Sequence, residues 1–163
     1  MQSKWRLSHV QGYLGLGMVA EASAEFEHLS RSDRDTTPAL ALHIAILQEQ
    51  QNWPALRDAC VEFVRRTPGE AAGWVTWAYA VRRAENLAAA EEVLRVAETK
   101  HPADPTIQFN LGCYACLLGD LAEARRRVDR AIALDQAFFA LAATDPDLTA
   151  LRDAGRADCQ PSP

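Results

Sequence analysis

Apolar residues recur along this chain three or four positions apart, in bursts long enough to form helices. That spacing places them on one side of an α-helix, so each burst predicts an amphipathic helix. The bursts come in pairs, and a short polar joint separates the two members of each pair: Gly17-Met18, Gln51-Asn52, Glu85-Asn86 and Gly119-Asp120. Asn52, Asn86 and Asp120 carry side-chain oxygens that can accept from the free amides of a following second helix, and Thr37-Pro38 and Asp104-Pro105 are expected to start first helices in the same way. The pattern therefore predicts a series of helical hairpins.

The hairpins recur with a period of 34 residues. The aligned positions are Gly112, Ala78 and Ile44 in one column, Ala124, Ala90, Leu56 and Ala22 in a second, and Ala131, Ala97, Phe63 and Leu29 in a third. The register continues without insertions through four units, which we place at residues 3–36, 37–70, 71–104 and 105–138. A period of this length indicates one supersecondary unit repeated in tandem.

Two of these units carry the residues of a known repeat. The third has Trp74, Ala78, Ala90, Ala97 and Pro102, and the fourth has Leu111, Gly112, Gly119, Asp120, Ala124 and Ala131. Together with Ala22 in the first unit, this pattern resembles the tetratricopeptide repeat (TPR) family, in its bacterial form, over roughly five-sixths of the chain. The resemblance implies an all-α fold, a right-handed superhelical α-solenoid of antiparallel helix hairpins in which small residues let the helices approach closely.

The second repeat departs from the family pattern. Ile44, Leu56 and Phe63 stand where small residues are usual, so we expect its helices to lie farther apart.

The residues after the fourth repeat predict a C-terminal cap at 139–154. Phe138, Phe139 and Leu141 are expected to dock on the last hairpin, and Leu148 and Leu151 to fold back from a short helix that opens at Asp145-Pro146. We therefore expect a single domain over residues 1–154. Residues 155–163 are expected to form a disordered tail.

The charge and composition of the chain argue against several classes of protein. The formal net charge of −5 has the wrong sign for binding nucleic acid through its phosphates. No apolar run is long enough for a membrane span, and polar residues and glycines interrupt the N-terminus where a signal peptide would have its apolar core. These features predict a cytoplasmic protein without nucleic-acid or membrane partners. The four cysteines, Cys60, Cys113, Cys116 and Cys159, then fit reduced thiols better than disulfides.

Cys113 and Cys116 form a C-x-x-C pair, which has two interpretations. Metal or thiol chemistry is one, but the pair lies in the middle of a predicted helix, away from the helix N-terminus that lowers a thiol pKa. A structural zinc site also needs four ligands, and no second pair has suitable spacing. Packing of two small apolar groups is the interpretation we favour. With no P-loop, G-x-S-x-G or H-E-x-x-H motif, the sequence predicts no enzyme activity, no metal and no cofactor.

The resemblance implies that the first helix of each repeat lines a concave groove, which binds protein partners. The candidate groove residues are Val75, Thr76, Tyr79, Arg82 and Arg83 in the third repeat, and Phe109, Asn110, Cys113, Cys116 and Leu117 in the fourth. The lysine, arginine and asparagine clamp with which some family members hold chaperone C-termini is absent from the corresponding positions. Arg82 and Arg83 are either contacts for an acidic group of a partner or solvated surface residues.

Two functional hypotheses remain. The first is a non-enzymatic interaction scaffold or adaptor that binds a partner peptide or helix in the groove. The second is a self-assembling structural subunit, or a chaperone for a secreted or hydrophobic client. Four arginines, Arg125, Arg126, Arg127 and Arg130, crowd one predicted helix, while Glu21, Glu25 and Glu27 crowd another. The arginines lie in the last repeat and the glutamates in the first, so the two ends of the solenoid would carry opposite charges and could support weak homo-oligomerisation. Charge runs of this kind usually form a solvated helix surface.

Overall fold

The computed structural model of this protein describes residues 2–157, with side chains described from residue 5 to residue 155. This part of the chain is helical throughout and contains no strand. The helices are α1 (Gln2–Gly15), α2 (Val19–Glu27), α3 (Arg31–Arg34), α4 (Thr37–Glu49), α5 (Trp53–Arg66), α6 (Ala71–Ala84), α7 (Leu87–Lys100), α8 (Pro105–Leu117), α9 (Leu121–Leu134), α10 (Ala137–Thr144), the 3-10 helix η1 (Pro146–Leu148) and α11 (Thr149–Ala157). The all-α prediction is confirmed.

Three of the predicted caps start their helices, whereas α4 is capped by Thr36 and not by the expected Thr37. The Asn52 side chain accepts from the amide of Ala55, the first turn of α5. Asp104 caps α8 and Asp120 caps α9 in the same way, with N···O distances of 2.9 and 3.0 Å. Each cap satisfies an amide that has no partner within its own helix. The local chemistry of these three residues therefore fixes where the second and fourth hairpins turn and where the fourth begins.

Three of the four joints inside the hairpins contain a residue with a left-handed backbone conformation. Gly17 and Gly119 have φ angles of 72° and 90°, which glycine adopts without a steric penalty. Gln51 occupies the corresponding joint of the second hairpin with φ of 55°, a left-handed conformation that is costly for a residue with a side chain. The backbone of the second joint is therefore the most strained of these three.

Contacts along the chain divide it into two compact units, Met1–Asn86 and Leu87–Pro163. In the first unit, α1 packs against α2, and α5 packs against both α4 and α6. The short helix α3, which the sequence pattern does not predict, connects α2 to α4. The buried core of this unit consists of Val10, Ala22, Phe26, Leu29, Ala39 and Ile46 in one cluster and Leu47, Leu56, Cys60 and Ala80 in another. The domain count and repeat boundaries stay predictions.

In the second unit, α8 is surrounded by α7, α9, η1 and α11. At Gly112, α8 and α9 are in close contact, because a Cβ added there would lie 2.9 Å from a methyl carbon of Val128. A polar group is also enclosed by these helices. Arg127 is only 4% exposed and donates hydrogen bonds to Glu98 of α7, Gln108 of α8 and Glu123 of its own helix. These contacts connect all three helices.

Most of the predicted repeat positions lie in the interior. Ala22, Trp74, Ala78, Ala90, Ala97, Gly112, Ala124 and Ala131 are buried. Gly119 differs, because it is exposed and forms the turn between α8 and α9. Small side chains in these positions allow neighbouring helices to approach, and larger apolar residues fill the remaining space.

The C-terminal cap agrees only in part with the sequence expectation. Leu148 and Leu151 are buried, as predicted, and the Phe138 ring packs 5.1 Å from that of Phe109. The prediction that Phe139 and Leu141 dock is wrong, because they are 66% and 50% exposed. Helix α10 is apolar on nearly every side, so one contact surface cannot cover it. The α11 helix continues to Ala157, and the rest of the predicted tail, residues 158–163 with Cys159, lies outside the described residues.

Candidate functional site

One side of α6 carries a line of accessible side chains. Ala72, Thr76, Tyr79 and Arg83 follow one another at intervals of four, three and four residues, which places them on one side of the helix. Ala72 and Arg83 are exposed, Thr76 is half-buried, and Tyr79 is 41% exposed although it is a large aromatic residue. We call these four residues the α6 line.

A pocket of ≈ 180 Å³ lies beside the first half of the α6 line. It is lined by Ala41 and Ile44 of α4, Cys60 and Phe63 of α5, Glu70, and Ala72, Gly73 and Thr76 of α6. Its floor fits tightly against α6, because a Cβ on Gly73 would lie 2.9 Å from the Phe63 ring. Small residues on α4 and α6 leave the space open, and α5 closes it from below.

The polar groups of this pocket are few. The Thr76 hydroxyl donates to the carbonyl oxygen of Ala72 at 3.0 Å, within its own helix. Burial raises the pKa of the Cys60 thiol to about 12, so this cysteine stays neutral at physiological pH. Glu70 is exposed and supplies the carboxylate at the edge of the pocket. The pocket therefore offers an apolar interior with one negative charge at its rim.

Aromatic and cationic groups gather beside the second half of the α6 line. The rings of Trp53 and Tyr79 meet edge to face, with centroids 5.6 Å apart and planes at 83°. The guanidinium carbon of Arg83 lies 5.0 Å from the Trp53 ring centroid, within the range of a cation–π interaction. These residues meet because α5 and α6 pack together in opposite directions, which brings the start of α5 beside the end of α6. We call Trp53, Tyr79 and Arg83 the Trp53 cluster.

The remaining predicted groove residues of α6 lie next to this line. Val75 and Arg82 are half-buried and belong to the adjacent row of the helix. Sequence reasoning missed Trp53 and Glu70, because it considered only the first helix of each repeat. The signal was available, since an antiparallel hairpin necessarily places the first residue of one helix near the last turn of the next.

In the second unit, most predicted groove residues are part of the interior. Phe109, Cys113 and Cys116 are buried, and Asn110 donates to the carbonyl oxygen of Thr106 at 3.0 Å. Of these five residues, only Leu117 is largely accessible, with 45% of its surface exposed. The burial has a simple cause, because α8 is apolar around its whole circumference and helices pack on several sides of it. A role for these residues in binding a partner stays a prediction.

The cysteine pair gives no structural sign of chemistry. Cys113 and Cys116 are buried thiols that are not joined in a disulfide. Among the residues that the structure describes, no group of three or more histidine, cysteine or acidic side chains is placed to hold a metal ion. None of the described helices combines the length and the apolar character needed to cross a bilayer.

Comparison with known proteins identifies the fold. No protein-family model and no curated protein matches the sequence. Solved structures do match. TTC0263, a thermophilic TPR protein of Thermus thermophilus, has a TM-score of 0.66 and 20% sequence identity, covering 96% of this chain and 83% of its own. The chain has a tetratricopeptide repeat fold.

Two further structures are similar over almost their entire length. MamA from residue 41 to its end, from Desulfovibrio magneticus RS-1, has a TM-score of 0.70 and 16% identity, covering 97% of both chains. MamA of MSR-1 has a TM-score of 0.64 and 12% identity, covering 96% of this chain and 97% of its own. The predicted repeat boundaries would make α4 and α6 the first helices of successive repeats, with α5 between them.

Proposed function

We propose that this chain is a non-enzymatic interaction scaffold that binds a segment of a partner protein along the α6 line. The observation that carries the proposal is the apolar pocket between α4 and α6, which opens beside this line. Its volume of ≈ 180 Å³ lies below the roughly 300–1,000 Å³ of small-molecule sites. A single side chain of a longer ligand fits this space better than a metabolite does.

The Trp53 cluster supports the same function. Accessible tyrosine, tryptophan and arginine are the residue types that contribute most to binding energy in protein interfaces. Tyr79 lies about one helical turn beyond Thr76, so a segment anchored in the pocket reaches its ring without a change of direction. We therefore expect the pocket and the cluster to act as one contact surface within the first unit.

The chemistry of the pocket supports a binding role over a catalytic one. Cys60 is the only thiol in its lining, and its raised pKa keeps it from forming the thiolate that nucleophilic attack requires. The Thr76 hydroxyl donates its proton to a backbone carbonyl of its own helix and not to the Glu70 carboxylate. Such groups can contact a ligand, but they are not arranged to activate one.

A peptide selection tests the proposal. A phage-displayed library of random twelve-residue peptides is selected on the wild-type chain and counter-selected on Thr76→Arg, which places a long charged side chain at the pocket. Val61→Arg is the matched control, because it makes the same charge change at an exposed residue of α5 outside the pocket. Circular dichroism checks that both variants are folded.

The proposal predicts peptides that bind the wild type and Val61→Arg equally and lose at least tenfold in affinity for Thr76→Arg. Peptides that bind all three proteins equally would place the binding surface elsewhere. A selection that enriches no peptide over the Thr76→Arg background would contradict the proposed function.

Self-association is the second candidate, and α10 favours it. Phe139 and Leu141 expose large apolar side chains there, and such patches are common at protein interfaces. The arginines of α9 support self-association less than the sequence suggests, because Arg126 pairs with Glu123 at 2.7 Å and Arg127 is buried. We expect Phe139→Ser with Leu141→Ser to lower the sedimentation coefficient if α10 joins copies of the chain. A wild type that sediments as a monomer at all concentrations would exclude this function.

A further inference from the structure

Opposite charges stand at the two ends of the α6 line. Glu70 directly precedes α6 and borders the pocket, and Arg83 lies in the last turn of the helix. In the part of the chain that the structure describes, no cationic side chain pairs with Glu70 and no carboxylate pairs with Arg83. Each of these groups is exposed and free to bind a group outside the chain.

Neighbouring charges are already paired within the protein. The Glu62 carboxylate accepts hydrogen bonds from both Arg65 and Arg66. At the other end, Arg57 donates to Asp58 and to Glu85, each at 2.8 Å. After these pairs are formed, the surface around α6 retains a carboxylate at the pocket and a guanidinium at the Trp53 cluster.

We infer that the partner segment is dipolar, with a basic side chain next to its apolar anchor and an acidic side chain farther along. This inference rests on the proposed function and specifies the ligand of the same site. Glu70 lines the pocket that takes the anchor, so it attracts a cation close to that residue. Arg83 binds the carboxylate, because its guanidinium can donate two parallel hydrogen bonds to it.

The helix geometry sets the spacing between these groups. Thr76 and Arg83 are seven residues apart, which corresponds to about 10 Å along an α-helix. An extended ligand advances about 3.3 Å per residue, so about three residues cover this distance. The expected segment has a lysine or arginine one or two positions from the anchor and an aspartate or glutamate about three positions away on the other side.

Synthetic peptides test the inference directly. The probe is a fluorescein-labelled peptide with a lysine two positions before a leucine and a glutamate three positions after it, with serine and glycine elsewhere. Its counterpart has lysine and glutamate exchanged. A second pair consists of the same two peptides with their sequences reversed. It is needed because the two charges do not determine whether the bound segment runs parallel or antiparallel to α6. Affinities are measured by fluorescence anisotropy at low and at physiological salt.

In two of the four peptides the lysine lies closer to the leucine than the glutamate does, as the site requires. We expect the tighter binder of these two to bind about tenfold more tightly than its exchanged counterpart, since the exchange turns two exposed ion pairs into two repulsive contacts. The preference should weaken as salt is added. It should reverse in the double variant Glu70→Lys, Arg83→Glu. The control variant Glu92→Lys, Arg125→Glu makes the same charge changes at exposed residues of the second unit and should keep the wild-type preference.

Equal binding of both charge orders would overturn the inference and leave the proposed function intact, provided that Thr76→Arg still abolishes binding. Failure of all four peptides to bind would also overturn it. In that case the peptide library decides the proposed function separately, because its random sequences include ligands without this charge pattern.

Discussion

The contact between α8 and α9 at Gly112 gives the sharpest test of how the hairpins are packed. A Cβ on Gly112 would lie 2.9 Å from Cγ2 of Val128 and 3.3 Å from the carbonyl oxygen of Ala124. Val128 is buried and has a stiff, branched side chain, and the carbonyl belongs to the α9 backbone. Gly112→Ala therefore has to push the two helices apart.

Two opposing contributions determine how much Gly112→Ala changes the free energy of unfolding. Overpacking a well-packed interior costs about 1–3 kcal/mol, whereas alanine favours a helix over glycine by about 1 kcal/mol. Gly12→Ala is the matched control, since Gly12 is also inside a helix but nothing lies within 4 Å of the added Cβ. We expect Gly12→Ala to stabilise by roughly 0.5–1 kcal/mol. The gap between the two variants then isolates the packing cost, at about 1–3 kcal/mol.

Urea and thermal unfolding followed by circular dichroism measure both variants. Circular dichroism is needed because all four tryptophans, at positions 5, 53, 74 and 77, lie in the first unit, so their fluorescence does not report on Gly112. A difference of about 2 kcal/mol corresponds to about 4–8 °C in melting temperature for a chain of this size. Equal stabilisation by the two substitutions would refute the close approach of α8 and α9.

Three further predictions concern polar and reactive groups. Arg127→Ala should destabilise the chain by about 3 kcal/mol in urea unfolding, because it removes a hydrogen bond from the buried Gln108 and from the half-buried Glu98 and Glu123. Arg126→Ala at the exposed surface should cost under about 1 kcal/mol, and equal costs would contradict the network. The hydrogen bond from Arg126 lowers the pKa of Glu123 to about 2. The ionised Glu123 carboxylate therefore stabilises the folded chain fully above about pH 4.5, and this contribution is lost as the pH falls towards 2. The urea midpoint of Glu123→Gln should therefore change less than that of the wild type across this range. Cys60 should resist iodoacetamide at pH 8 until denaturant is added, as read by mass spectrometry of its peptide; rapid labelling of the native protein would contradict its raised pKa.

Local chemistry made the hairpins predictable from sequence. Asn52, Asp104 and Asp120 cap the helices that they were expected to cap, because a cap depends only on its own side chain and the next three residues. Gly119 likewise forms its turn because the left-handed conformation favours glycine. These features need no knowledge of the distant chain.

Features that depend on tertiary packing were less predictable. Phe139 and Leu141 are apolar but exposed, because hydrophobicity alone does not say which side of α10 meets another helix. The all-round apolar character of α8 was present in the sequence and explains why Cys113 and Cys116 are buried. The Trp53 cluster forms where the start of α5 lies beside the end of α6. Comparing equivalent positions of the repeats does not reveal such a contact between different helices.

An NMR titration shows directly whether a partner segment binds along the α6 line. A peptide enriched by the library selection is added to the ¹⁵N-labelled chain, and the shifts of the backbone amides are followed. We expect the largest changes at Ala72, Thr76, Tyr79 and Arg83, with small changes in α9 and α10. Largest changes in α9 or α10, with the α6 amides unmoved, would contradict this expectation.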